Sequence, residues 1–122
     1  MKILVVDDDI GIREMIQDAL LGAGYEVELA ASCDEAMKLY RRKDFDLAIV
    51  DIIMPDRDGL ETLMEMRRSS GNAKVLAISG GGHIGSSPVL AMADKLGAKA
   101  TLPKPFTPEE LVARVGELLK TP

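Results

Sequence analysis

The sequence predicts an α/β fold with a doubly wound, five-stranded parallel sheet. Short apolar runs alternate with amphipathic stretches along the chain, which is typical of strand–helix units on a parallel sheet buried on both faces. Polar residues follow several of these runs directly, where such a sheet places its functional site. The chain has 122 residues, and we expect one domain covering residues 1–122.

Five short apolar runs predict the strands, because each is bounded by turn-forming or polar residues and is too short for a helix. The fifth run is the least distinct of the set. The runs are Ile3 to Val6, Val27 to Ala30, Leu47 to Val50, Val75 to Ile78 and Ala100 to Leu102.

Five helices are predicted between and after these strands. The first has an apolar stripe from Ile12 to Ala23 at three- and four-residue spacing, and Gly24 ends it. Asp9 stands where it can cap this helix. The third runs from about Leu60 to Arg68, and the fourth from about Pro88 to Leu96.

The second and fifth helices have marked starts. Ser32 is followed three residues later by Glu35, and Thr107 is followed in the same way by Glu110. This spacing is a capping box, in which each side chain accepts a hydrogen bond from the other residue's backbone N–H. Pro108 adds a favourable first helical residue to the fifth helix.

Composition argues against several classes of function. The formal net charge is −5, so the chain lacks the basic surface that dominates nucleic-acid binding, and we expect no direct contact with nucleic acid. The single cysteine, Cys33, favours a reducing compartment. No apolar run is long enough to span a membrane, and the N-terminal run is too short for a signal peptide. We therefore expect a cytoplasmic protein with no membrane partner.

Polar residues that follow the strands predict a site for phosphoryl chemistry. The carboxyl ends of parallel strands meet at one edge, so these carboxylates would share a small volume and need a cation to offset their repulsion. Mg²⁺ suits such a pocket because it binds carboxylates and phosphate oxygens together. The residues are Asp7, Asp8 and Asp9 after the first run, Asp51 after the third, Ser79 after the fourth and Lys104 after the fifth.

Four motifs in order resemble the receiver domain of bacterial two-component response regulators over essentially the whole chain. They are KILVVDDD, LAIVDIIMPDRDG, VLAISG and LPKPF. The resemblance implies a flavodoxin-like strand order 2-1-3-4-5. It also implies that Asp51 is the phosphoacceptor, that Asp8 and Asp51 bind Mg²⁺ directly, that Asp7 binds it through water, and that the backbone carbonyl of Ile53 is a further ligand.

The same resemblance assigns the remaining roles. Ser79 would contact the bound phosphoryl group, and Lys104 would pair first with Asp51 and then with the phosphate. The peptide bond before Pro105 would be cis, which directs the lysine inward. A phosphorylated histidine kinase or a histidine phosphotransfer protein would be the donor, and a downstream protein or a fused effector the target. Such a chain is not a conventional enzyme, since it promotes only its own phosphorylation and dephosphorylation.

One position departs from the family pattern. Receivers commonly carry Tyr or Phe three residues before the pocket lysine, and here that residue is Thr101. The usual coupling between a serine and an aromatic ring therefore cannot operate. We expect the segment Gly80 to Ser87 to report phosphorylation by becoming ordered. Its His83, the only histidine, is expected to be a solvated loop residue, with contact to the phosphoryl group or to a partner as the alternative.

Other interpretations remain open at this point. The chain could be a pseudo-receiver that binds partners without phosphorylation, although no pocket residue is lost. A small phosphatase of the haloacid-dehalogenase type is the other alternative, because Asp7 and Asp9 mimic its Asp-x-Asp motif, but it leaves Asp51 unexplained. We favour a stand-alone regulator over a receiver excised from a longer protein, a choice that the sequence does not decide.

Overall fold

The computed structural model has one parallel sheet between two layers of helices, and it confirms the predicted fold class. It describes residues 1–53, 59–69, 74–79 and 86–120, the side chains of residues 86–90 excepted. Strands and helices alternate throughout. The elements are β1 (Lys2–Val6), α1 (Ile10–Gly22), β2 (Glu26–Ala30), α2 (Cys33–Arg42), β3 (Leu47–Asp51), α3 (Gly59–Arg68), β4 (Lys74–Ser79), α4 (Ser86–Lys95), β5 (Ala100–Pro103) and α5 (Pro108–Lys120).

The strand order is β2-β1-β3-β4-β5, as expected, and every pairing is parallel. The order reverses at β1, which lies between β2 and β3. At such a switch point the loops after neighbouring strands diverge to opposite faces and leave a crevice at the carboxyl ends. Val6 of β1 is the register partner of Val50 of β3, so the residues that follow both strands are neighbours at this crevice.

Each face of the sheet has its own buried cluster. Leu4 and Val6 of β1 face the cluster that holds α2, α3 and Ala93 of α4, whereas Ile3 and Val5 face the cluster that holds α1 and α5. Because both faces are covered, successive residues in the middle of β1, β3 and β4 are apolar, whereas β2 at the edge of the sheet alternates Glu and apolar residues. This is why the central strands could be recognised as continuous apolar runs.

The ends of α1 agree closely with the prediction. Asp9 is the N-cap, and its Oδ1 accepts a hydrogen bond from Ile12 N at 3.1 Å. The helix ends at Gly22, Ala23 is its C-cap, and Gly24 then takes a positive φ of 93°. A residue without a Cβ reverses the chain there at little cost.

The two capping boxes differ in one contact. At α5, Thr107 Oγ1 accepts from Glu110 N at 3.0 Å and Glu110 Oε1 accepts from Thr107 N at 2.9 Å, which completes the reciprocal pair. At α2, Ser32 Oγ accepts from Glu35 N at 3.1 Å, but Glu35 Oε1 accepts from Ala31 N at 2.6 Å. The glutamate thus reaches one residue further back than predicted and satisfies a donor just outside the helix.

Two helix starts lie earlier than expected. The third helix begins at Gly59 instead of Leu60, and α4 begins at Ser86 instead of Pro88. Pro88 is still within the first turn, where backbone N–H groups have no partner inside the helix, so a residue without that donor is tolerated. Of the helices described, none has the length and apolar character needed to cross a membrane.

Gly59 packs directly against the end of β3. A Cβ built on this residue would lie 2.3 Å from Ile52 Cα and 2.6 Å from the Asp51 carbonyl oxygen. Both are backbone atoms, so no side chain can rotate aside to make room. The first residue of α3 therefore has to be glycine if the helix is to pack against the residues that follow β3.

We expect Gly59→Ala to lower the free energy of unfolding by about 3 kcal/mol, because the added methyl group forces the backbone apart. Gly22→Ala is the matched control, since a Cβ at Gly22 meets nothing within 4 Å and alanine favours the helix. Urea unfolding of both variants measures the effect. Equal stability of the two variants would contradict the close approach of Gly59 to β3.

Candidate functional site

Three carboxylates meet at the carboxyl ends of β1 and β3. One carboxylate oxygen from each of Asp7, Asp8 and Asp51 lies within 4.8 Å of the others. Asp7 is fully buried and Asp51 is 4% exposed, while Asp8 lies at the surface. The cluster therefore has a buried floor and an open side, and it joins residues that are 44 positions apart in the sequence.

Backbone hydrogen bonds hold the two buried carboxylates in place. The Asp7 N–H donates to the Ala30 carbonyl at 3.2 Å, which extends the pairing of β1 with β2 by one residue. Asp7 Oδ1 accepts from Asp9 N at 2.9 Å, and Asp51 Oδ1 accepts from Ile53 N at 2.9 Å. In both cases the N–H two residues further along fixes the carboxylate. The second oxygen of each group is left for other partners.

Lys104 supplies the positive charge of the cluster. Its Nζ lies 2.7 Å from Asp7 Oδ2 and 3.0 Å from Asp51 Oδ2, and its side chain is 15% exposed. Its backbone N–H donates to the Ser79 carbonyl at 2.9 Å, which ties the start of the β5–α5 loop to β4. The Lys104–Pro105 peptide bond is cis, as the sequence resemblance implied.

Ser79 and Thr101 lie on the two strands beyond β3. Ser79 is buried at the end of β4 and is the register partner of Pro103, while Ile78 just before it is the partner of Asp51. The structure thus brings Ser79 to the same edge as the carboxylates. Thr101 is half-buried in β5. Residues 80–85, including His83, lie outside the described residues, so the expectations for that segment stay predictions.

Burial and charge shift the ionisation of Asp51 and Lys104 in the pocket. Burial raises the pKa of Asp51, and the Ile53 N–H and the Lys104 ammonium only partly oppose this. Burial alone would lower the pKa of Lys104, but the carboxylates of Asp7 and Asp51 outweigh it and hold the pKa above its usual value. The lysine is therefore an ammonium, and the ionised form of Asp51 is disfavoured by its burial.

The donor set fits a hard divalent cation. Three carboxylates face one ammonium, so the ionised cluster has excess negative charge. Asp7 Oδ2 is buried without a well-aligned hydrogen bond, although the Lys104 ammonium is close to it. Such an oxygen gains from a cation or from cation-bound water at the open side, and Mg²⁺ prefers oxygen ligands of this kind while keeping several waters.

Sequence reasoning identified the residues at this edge but missed two supporting contacts. Arg13 of α1 donates from Nη1 to the Asp7 carbonyl at 2.8 Å, and Asp9 both caps α1 and holds Asp7 through its N–H. Both contacts use backbone atoms, which the side-chain pattern does not report. Their only sequence sign is the short separation of Asp7, Asp9 and Arg13.

Comparison with known proteins gives a match over most of the chain. Residues 3–116 match the family model described as "Response regulator receiver domain". The chain is 38% identical over 120 residues to "Response regulator MprA" of Mycobacterium leprae and 35% identical over 119 residues to "Probable transcriptional regulator ycf27" of Cyanophora paradoxa. These alignments cover 98% of this chain but 51% and 48% of the relatives. The chain thus spans about half the length of the curated relatives it matches.

Two of the solved structures that match share the fold over nearly their whole length. "Chemotaxis response regulator CheY4 of Vibrio cholerae" has a TM-score of 0.86 and 35% identity, with 96% of this chain and 97% of that chain covered. The "receiver domain of NtrX from Brucella abortus" has a TM-score of 0.89 and 30% identity, with 98% and 99% covered. The similarity therefore includes sequence as well as architecture.

Asp51→Asn is expected to stabilise the metal-free protein by about 1 kcal/mol at neutral pH. The folded-state pKa of Asp51 is raised, so the native protein loses stability as pH rises from the unfolded carboxyl pKa through the folded one. Asparagine does not titrate. The gain is therefore absent at acid pH and complete above the folded pKa.

Urea unfolding with a chelator present, repeated across acid and neutral pH, measures this difference. Asp44→Asn is the control, because Asp44 is an exposed carboxylate whose removal should change stability by less than about 0.5 kcal/mol. If Asp51→Asn is no more stable than the native protein at neutral pH, the buried carboxylate is not under the electrostatic strain described above.

Proposed function

The chain belongs to the response regulator receiver family, and we propose that it accepts a phosphoryl group on Asp51 and signals by changing its conformation. Members of this family are signalling modules of two-component systems, in which a phosphorylated aspartate and bound Mg²⁺ are typical. One observation carries the proposal for this chain. Asp51 is an almost buried carboxylate, held beside two further carboxylates and 3.0 Å from the Lys104 ammonium.

The proposed metal ligands are the acidic residues of the cluster. Asp8 and Asp51 would bind Mg²⁺ directly, and Asp7 would bind it through water. The backbone carbonyl of Ile53 would be the remaining ligand that the protein supplies. The fit rests on the excess negative charge of the cluster and on the buried Asp7 Oδ2. When bound, Mg²⁺ neutralises charge on the oxygens of the transferring phosphoryl group.

The proposed reaction is a phosphoryl transfer from a phosphohistidine to Asp51. A carboxylate oxygen of Asp51 forms a bond to phosphorus while the phosphorus–nitrogen bond of the donor breaks. The electron pair of that bond stays on the imidazole nitrogen, which takes up a proton from water. The donor is a histidine kinase or a histidine phosphotransfer protein, and the product is an aspartyl phosphate.

The chain's own residues stabilise this transfer by position and charge. The Ile53 N–H holds Asp51 Oδ1 and so limits rotation of the carboxylate. Lys104 can turn from Asp51 to the phosphoryl oxygens with little movement, because its ammonium already lies between Asp7 and Asp51. The Ser79 hydroxyl would donate to a phosphoryl oxygen. Water later hydrolyses the acyl phosphate in the same pocket, so the chain acts only on itself.

The proposed output is a shift between two conformations. Changing the ratio of active to inactive conformation from 1:99 to 99:1 requires that phosphorylation favour the active conformation by about 5.5 kcal/mol. The phosphoryl dianion can draw on charge-assisted contacts with Lys104, Ser79 and backbone amides for part of this. Because Thr101 occupies the position where an aromatic ring is usual, we infer that residues 80–87 carry the conformational response to phosphorylation.

The proposed partners are proteins. The phosphorylated receiver would contact a downstream protein or a fused effector, and the donor kinase draws on ATP, which places the step in the cytoplasm. We retain the expectation of no direct contact with nucleic acid for this domain, since its formal charge is −5.

The experiment that tests the proposal is intact-mass spectrometry after incubation with acetyl phosphate. We expect the native chain to gain one phosphoryl group when Mg²⁺ is present and none when a chelator replaces it. Asp51→Asn should gain none in either case, while Asp44→Asn should behave as the native chain. A native chain that gains no phosphoryl group, and that also fails to bind beryllofluoride, would reject the phosphoacceptor role and favour a pseudo-receiver.

Replacing Lys104 by Met is expected to slow phosphorylation by acetyl phosphate about a hundredfold, because it removes the cation that faces the transferring oxygens. Lys99→Met is the matched control: Lys99 is an exposed lysine just before β5, and the rate should stay within about twofold because exposed charges distant from the reaction contribute little. The rate of mass gain at saturating Mg²⁺ measures both. Equal rates in the two variants would remove Lys104 from the mechanism.

A further inference from the structure

Arg13 contacts the backbone of the acidic pocket from α1. Its Nη1 donates to the Asp7 carbonyl oxygen at 2.8 Å, and the side chain is half-buried. The residue lies in the first part of α1, and its own N–H donates to the Asp9 carbonyl at 3.0 Å. The guanidinium therefore folds back from the helix over the loop that joins β1 to α1.

This contact is unusual because carboxylates surround Arg13 in the sequence. Asp7, Asp8, Asp9 and Glu14 all lie within six residues of it, yet within the described ranges its guanidinium forms an ion pair with none of them. It binds a neutral carbonyl instead. The carboxylates of the pocket are thus left without a competing arginine, and they stay available to another cation.

The position of Arg13 also opposes the helix dipole. Partial positive charge accumulates at the N-terminus of a helix, so a cation in the first turns is unfavourable for the helix itself. Arg13 therefore does not stabilise α1 through the helix dipole. Its contribution lies in the contact that its side chain makes with the carbonyl of Asp7.

That contact fixes the peptide group between Asp7 and Asp8. The carbonyl of this group accepts from Arg13, while Asp7 is held at its N–H by Ala30 and at its carboxylate by Asp9. Asp8 follows directly, and its exposed side chain makes no hydrogen bond to the residues described here. The direction of the Asp8 carboxylate thus depends on the backbone, and Arg13 restrains that backbone.

We propose that Arg13 is a positioning residue of the cation site, which orients Asp8 for Mg²⁺ through the Asp7 carbonyl. This inference rests on the proposed function, because it takes Asp8 as a direct ligand. Groups that hold ligands in place commonly change metal affinity by about tenfold to a hundredfold when removed. A free β1–α1 loop would have to be ordered on each binding event, at the expense of affinity.

A role of Arg13 as a positive charge and a role as a positioning residue predict opposite changes in Mg²⁺ affinity when Arg13 is replaced. If Arg13 acted only as a nearby positive charge, its removal would strengthen Mg²⁺ binding, because like charges repel. If it positions Asp8, its removal weakens binding. Arg13→Met removes charge and donor together, whereas Arg13→Lys keeps the charge and one donor on a long side chain.

The test is isothermal titration of the metal-free protein with Mg²⁺ at constant ionic strength. We expect Arg13→Met to bind Mg²⁺ about tenfold more weakly than the native protein and Arg13→Lys to recover most of that loss. Arg114→Met is the matched control, because Arg114 also donates to a backbone carbonyl, that of Thr101 at 3.3 Å. The Arg114→Met variant should bind Mg²⁺ with the affinity of the native protein.

A second readout comes from the amide resonance of Asp8 without metal. This resonance should shift in Arg13→Met, which loses the hydrogen bond to the Asp7 carbonyl, and should stay unchanged in Arg114→Met, which keeps it. Urea unfolding shows whether each variant is folded, and Arg13→Gln replaces Arg13→Met if the latter is not.

Two outcomes overturn the inference, and they are distinguishable. Native protein that binds Mg²⁺ together with an Arg13→Met variant that binds it equally well or more tightly rejects the positioning role alone. Native protein that does not bind Mg²⁺ rejects the proposed metal site, and the positioning role with it.

Discussion

The crowding of three carboxylates around one ammonium is the interaction on which the structure of the site depends. Asp7 and Asp51 are buried with Lys104 between them, and Asp8 lies at the exposed, open side of the cluster. Buried charges of one sign destabilise a fold unless something offsets them. Lys104 offsets part of the charge, and the remainder is the physical basis of the proposed cation site.

The fold creates this crowding through its topology. The strand order places β1 beside β3, so residues far apart in sequence must end at one edge. The cis peptide before Pro105 lies at the residue whose side chain enters the cluster, and Gly59 lets α3 pack against the backbone that carries Asp51. The two buried clusters on either face supply the stability that allows charge to accumulate at the edge.

Much of the fold could be predicted because the governing patterns are local. The central strands, covered on both faces, are continuous apolar runs, and each of the five predicted runs lies within an observed strand that is one or two residues longer. Asp9 and Thr107 were recognised as caps because capping depends on residues three positions apart. The start of α4 was placed two residues late, at about Pro88 instead of Ser86.

The contents of the site were predictable, whereas its internal geometry was not. Topology brings Asp7, Asp51 and Lys104 to one edge of the sheet, and the resemblance to receivers names the roles proposed for them. The two contacts of the Lys104 ammonium depend on side-chain placement. The bond from Arg13 to the Asp7 carbonyl involves a backbone acceptor that every residue possesses. No pattern of residue types identifies such an acceptor, so the contact emerges only from the structure.

The most direct test of the account is the dependence of stability on Mg²⁺. If the unbalanced charge of the cluster is a cation site, the free energy of unfolding of the native protein in urea should rise with the logarithm of the Mg²⁺ concentration once the site begins to fill. Asp8→Asn should lose most of that dependence while remaining folded. A native protein whose stability is unchanged by Mg²⁺ at constant ionic strength would contradict the account.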